Sequence, residues 1–157
     1  MNKTTKKLIM ILMAVIILGS TVVVPTQAVQ AKVVKTKGYY ITVVTKSRKN
    51  IYMDYPVLKK VSFKKNKFVS YGGFLYRKSL NGKERTMKNQ KRTFTLSKNC
   101  KYFLGDNAYD MTSSKKSISK KAFIKKVKKI IKNDKVNPDL VIKVKGKQIV
   151  YMYLQVY

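Results

Sequence analysis

SKKAFIKKVKKIIKN (residues 119–133) and LVIKVKGKQIVYMYLQV (residues 140–156) decide the architecture between them. In the first, apolar residues fall at Phe123, Ile124, Val127, Ile130 and Ile131. At helical spacing they cover an arc of about 120°, one buried face with lysines around the rest. Ser119 stands where an N-cap belongs, and Ile118 where a hydrophobic staple onto Phe123 would form. Asn133-Asp134 and Asn137-Pro138 close the helix. In the second stretch the period drops to two, so Leu140 to Lys145 and Gln148 to Val156 read as a hairpin joined through Gly146.

Upstream of the helix the chain is rich in Tyr, Val, Ile and Thr at alternating positions, which suits a pleated surface. Lys32 to Gly38 is a polar lead-in of the kind that frays. Strands are predicted over Tyr39 to Lys46, Val57 to Phe63 and Phe68 to Lys78, with a brief pairing segment at Ile51 to Tyr55. Turns fall at Ser47-Arg48-Lys49-Asn50 and Lys64-Lys65-Asn66-Lys67. Gly72-Gly73 interrupts the third strand and predicts a bulge or sharp bend. Asn81-Gly82 predicts a type I′ hairpin, because both turn positions need positive φ. Thr93 to Leu96 and Tyr102 to Leu104 are short strands, and Gly105 to Lys116 is a polar loop. Six to eight short strands and one helix make an α+β domain, mainly antiparallel β. The sheet is small and bent, or a partial OB-like barrel, with the amphipathic helix at about 119–133 plugging one end.

Three blocks carry a resemblance. Thr93-Phe94-Thr95-Leu96-Ser97-Lys98-Asn99-Cys100-Lys101-Tyr102-Phe103 resembles a core strand of small exported OB-like domains of Gram-positive bacteria. Ile118-Ser119-Lys120-Lys121-Ala122-Phe123 and the hairpin Val141 to Val150 follow in the same order. The resemblance spans roughly residues 68–157. It implies that fold and an exported product, and it carries no catalytic residue across, since many such domains have no assigned function. The chain departs from the pattern at Cys100, where Thr is expected, and lacks a Gly at the helix end.

The first 31 residues agree with export. Lys3, Lys6 and Lys7 precede an apolar run from Leu8 to Leu18, and Val29-Gln30-Ala31 places small residues at −3 and −1 of a cleavage site. This reads as a secretory signal. The alternative is a retained anchor, since Leu8 to Val24 nears the lower limit of a span, about 17 residues. Lys32 to Tyr157 then forms one domain, able to hold a core without staples. A single cysteine, Cys100, excludes an intramolecular disulfide, and it is expected to be a small buried apolar residue.

Charge is the other strong signal. Lys and Arg number 36 against 6 Asp and Glu, for a formal +30. A field of this size attracts polyanions and makes their binding salt-dependent. Only Arg48, Arg77, Arg85 and Arg92 are arginines, so the excess is lysine; an AT-rich genome, which inflates lysine on any tolerant surface, is the competing explanation. There is no histidine, so no Ser-His or Cys-His dyad exists. The carboxylates are Asp54, Glu84, Asp106, Asp110, Asp134 and Asp139, and the surrounding lysines suit none of them to the role of a general acid. Asp106, Asn107 and Asp110 form an oxygen cluster without EF-hand spacing, and it reads as a solvated turn. No cofactor and no catalysis are expected.

These observations lead to an expectation of a non-catalytic, exported cell-surface module. It would bind anionic polymers such as teichoic acid through Lys59, Lys60, Lys64 and Lys65 on the strands. Lys121, Lys125, Lys128, Lys129 and Lys132 on the helix back would join them. Alternatives are a secreted cationic effector acting on anionic membranes or nucleic acid, and a structural domain with a protein or small-ligand partner. For nucleic acid, Tyr39, Tyr40, Tyr71, Tyr76, Tyr151 and Tyr153 are candidates for one shared exposed face.

Overall fold

The computed structural model describes residues 31–45, 55–107, 115–133 and 136–156. The leader up to residue 30, the turn at Ser47–Asn50, the segment Ile51 to Asp54 and the oxygen donor Asp110 lie outside them. Eight strands and one helix follow in chain order. They are β1 (Lys32–Val34), β2 (Gly38–Val44), β3 (Val57–Lys64), β4 (Lys67–Arg77), β5 (Glu84–Gly105) and β6 (Lys115–Ser117), then α1 (Lys120–Lys132), β7 (Asp139–Lys145) and β8 (Gln148–Gln155). The protein is mostly β, arranged as one mixed sheet in the order β1-β5-β4-β3-β2-β7-β8. β8 pairs back onto β5, β2 also meets β4, and β6 pairs with β5, so the sheet curls on itself without making a clean barrel.

The antiparallel expectation needs amending at three places, because β1–β5, β2–β3 and β5–β8 are parallel. In β5–β8 this is a matter of connectivity: the helix and β7 intervene, giving the chain the length a parallel return requires. Lys32–Val34, read as part of a fraying lead-in, forms a strand on β5 because Val34 reaches the core. Thr93 to Leu96 and Tyr102 to Leu104 belong to one strand, β5. Its first part, Glu84 to Gln90, is mostly solvent-exposed, so polar residues suit it and the apolar alternation that marks a strand is absent.

Two turns differ in kind. Asn81 and Gly82 do not take positive φ; they sit in a six-residue loop between Arg77 and Glu84, where the Gly82 amide donates to Ser79 O at 3.1 Å. The tight two-residue turn lies instead at Gly146-Lys147, with φ of 54° and 66°, joining β7 to β8. The Gly72-Gly73 irregularity is present: β4–β5 register shifts between Gly72 and Phe74. A Cβ on Gly72 would stand 2.2 Å from Val57 O, so only glycine lets β3 approach there.

The helix matches its reading. Ser119 Oγ accepts from the Ala122 amide at 3.2 Å, and Asn133 ends it by donating to Lys129 O and Ile130 O. Phe123, Val127 and Ile130 are buried in one cluster with Tyr40, Phe68, Phe94, Leu140 and Met152, and Ile118 is half-buried on the same cluster. A second cluster, Ile41, Leu75, Val141, Tyr151 and Tyr153, is also buried. Since Ile41 and Tyr40 alternate along β2 yet are both buried, β2 is covered on both faces, which is why its sequence reads as a continuous apolar run.

Candidate anion-binding cleft

Where β5 runs past β8, the pairing lapses between Leu96 and Lys101. The polar run Ser97-Lys98-Asn99 occupies that gap, with Asn99 N donating to Ser97 Oγ at 3.3 Å. The β3–β4 turn comes alongside, tied by Leu96 N to Asn66 O at 2.7 Å. The start of α1 closes the third side, since Lys120 Nζ donates to Lys65 O at 2.6 Å and Ile118 N to Tyr102 O at 2.9 Å. These three elements bound a cleft of 590 Å³.

Lys65, Lys98, Lys101 and Lys120 line the cleft, together with Ser97, Ser117, Ser119 and Asn66, and among the described residues no carboxylate lines it. The field is augmented by the helix. Its first turn holds no acidic residue, so nothing in it offsets the positive end of the dipole. The amides of Lys120 and Lys121 precede the first intrahelical bond, Phe123 N to Ser119 O at 3.0 Å. Ammonium groups, hydroxyls and a helix N-terminus converge, an arrangement chemically matched to phosphate or carboxylate oxygens.

Cys100 and Tyr102 also line the cleft. Cys100 is half-buried and packs against the main core, so it is less enclosed than the sequence suggests. Burial pushes its thiol pKa up, against smaller opposing effects of the Tyr102 hydrogen bond and the Lys120 charge. Burial also raises the Tyr102 phenol, with the neighbouring Cys100 acting in the same direction. A thiol held protonated is a poor nucleophile.

Of the lysines expected to bind polyanions, Lys59, Lys60, Lys64, Lys65, Lys121, Lys125, Lys128, Lys129 and Lys132 are all exposed. The cleft takes in Lys65 alone of them. Lys60 sits on another face, in register with Tyr71, whose other neighbour is Lys91. Lys98, Lys101 and Lys120 were not singled out; the signal for the first two was the polar run that breaks the alternation of β5. The tyrosines share no exposed face: Tyr71 is 45% exposed, whereas Tyr40, Tyr151 and Tyr153 are buried and Tyr39 and Tyr76 half-buried.

Arg92 is the other unforeseen residue. It is 1% exposed and donates only to backbone carbonyls, Gly72 O and Lys88 O at 2.7 Å and Gln90 O at 3.4 Å, while its Nε has no partner. Burial lowers its pKa. The carbonyls lie where the β4–β5 register shifts, so the guanidinium replaces ladder bonds that the bulge removes. Among the described residues no group of three metal-binding side chains occurs, and no helix is long and apolar enough to cross a membrane. In comparison with known proteins, no family model, no curated protein and no solved structure matches the chain.

Proposed function

We propose that the chain is a non-catalytic, exported module that holds anionic polymers of the cell envelope, teichoic acid first among them, through the lysine cleft. The observation that carries this reading is that Lys65, Lys98, Lys101 and Lys120 line one cleft at a helix N-terminus, with no carboxylate beside them among the described residues. Exposed lysines on β3 and the back of α1 would extend the contact along a polymer. An OB-like barrel is the fold reading that goes with it. It is supported by five strands, β2, β4, β5, β8 and β7, that pair in that order and return to β2, with α1 between β5 and β7. Residues 1–31 supply the case for export.

The test is binding to purified cell wall, with and without teichoic acid, across a salt series. Binding is expected to require teichoic acid, to fall steeply as salt rises, and to weaken in a Lys98→Glu, Lys101→Glu double variant. Retention in concentrated salt, or equal binding to stripped wall, counts against the proposal. Leakage of dye from anionic but not zwitterionic vesicles would favour a membrane-active cationic effector instead.

A further inference from the structure

Away from the cleft, one trough joins an apolar floor to a cationic rim. Between α1 and the end of β8 lies a pocket of 230 Å³ lined by Ile130, Val136, Pro138 and Val156, with Lys126 and Lys129 at its edge. Val136 is 47% exposed there, an unusual degree for a large apolar side chain in this molecule. A shallower hollow of 660 Å³ meets the pocket at Lys126 and Val156 and carries Leu104, Lys115 and Lys116.

The two ends differ in chemistry. At the pocket end the helix finishes, with Lys129 O and Ile130 O turned toward the Asn133 cap, so the negative end of the helix dipole disfavours an anion there. At the β6 end stand Lys115, Lys116 and Lys126, with Asp106 the carboxylate lining the hollow among the described residues and Lys115 lying 5.6 Å from the Phe103 ring. An occupant that fits both ends needs an apolar tail and a negatively charged head, in that orientation.

We propose that this trough binds a free single-chain anionic amphiphile. Its acyl chain lies over Ile130, Val136 and Val156, and its phosphate or carboxylate head lies beside Lys115, Lys116 and Lys126. A simple inorganic anion would leave Val136 in water, and a neutral alkyl chain would make no use of the charges of Lys116 and Lys126. The apolar residues line a hollow and do not project from the surface, which favours a single inserted chain over a bilayer face. The trough shares no lining residue with the lysine cleft, so this site stands apart from the polymer-binding proposal.

Calorimetric titration with monomeric dodecyl phosphate tests it. One molecule per chain is expected, with inorganic phosphate and dodecyl maltoside each at least about tenfold weaker. Val136→Asp, at an exposed position that the fold tolerates, should weaken binding about tenfold, and Val136→Leu should retain it. Lys116→Glu should weaken it too, while Lys101→Glu, in the other cleft, leaves it unchanged. Many molecules bound per chain, equal affinity for inorganic phosphate, indifference to Val136→Asp, or uptake only by anionic vesicles would each overturn the proposal.

Discussion

Arg92 shows how one side chain can hold a bulge. A buried cation is costly unless its donors are met, and here backbone carbonyls take both terminal nitrogens in place of a carboxylate, leaving Nε alone without a partner. Arg92→Met leaves those carbonyls without their donors, and a loss of about 3 kcal/mol in denaturant-measured stability is expected. Lysine at this position cannot span Gly72 O and Lys88 O at once, so Arg92→Lys should rescue little. Tyr40 gives a second test. Burial pushes its phenol pKa up to about 12, opposed in part by the Thr36 side chain, and the hydroxyl donates to Thr36 O at 2.9 Å, a bond only the protonated phenol makes. The unfolded chain ionises first, near the ordinary value of 10, so this contribution is intact below that pH and is lost as pH climbs toward 12. Tyr40→Phe should therefore flatten the fall in stability over that window. Cys100, held protonated by burial, should react with iodoacetamide at pH 8 several-fold more slowly than the same thiol in the unfolded protein.

At the level of elements, what was legible was local. The α1 stripe, the Ser119 cap and the β7–β8 hairpin depend on neighbours a few residues away, and each appears where the sequence places it. Ser119→Ala should lower stability by about 1 kcal/mol, read as a shift in denaturation midpoint. Gly72→Ala should cost more, because its Cβ meets the backbone of Val57 and Leu58 and not a side chain that can move aside. The full length of β5 was not legible, since a strand segment exposed over Glu84 to Gln90 carries no burial signal. Nor was the cleft. Its lysines come together through a lapse in β5–β8 pairing, a contact between residues about fifty apart that no local period encodes. Lys65 could be nominated from its turn, but its partners Lys98 and Lys101 become visible only once β8 is in place.

Across the whole molecule, a formal charge of +30 opposes compactness. The ion pair of Arg77 with Glu84, partly exposed to solvent, offsets little of it. Raising ionic strength from low salt to the physiological range should therefore raise the thermal midpoint, by a few degrees, before any ligand is added. The same change should weaken polymer binding. Opposite responses of stability and affinity to one salt series would separate self-repulsion from ligand attraction.

The sheet curls shut through β8, the last strand, which pairs with β7 on one side and β5 on the other. That arrangement also sets a clock. A chain that emerges N-terminus first can form the β3–β4 and β4–β5 hairpins early, yet Phe94, Leu96 and Tyr102 stay without their lid until Ile149, Met152 and Leu154 arrive. Long-range parallel closure is slow to begin and late to complete. Until β8 is seated the sheet stays open, and the fold becomes a rigid body only when Ile149, Met152 and Leu154 have packed into the core.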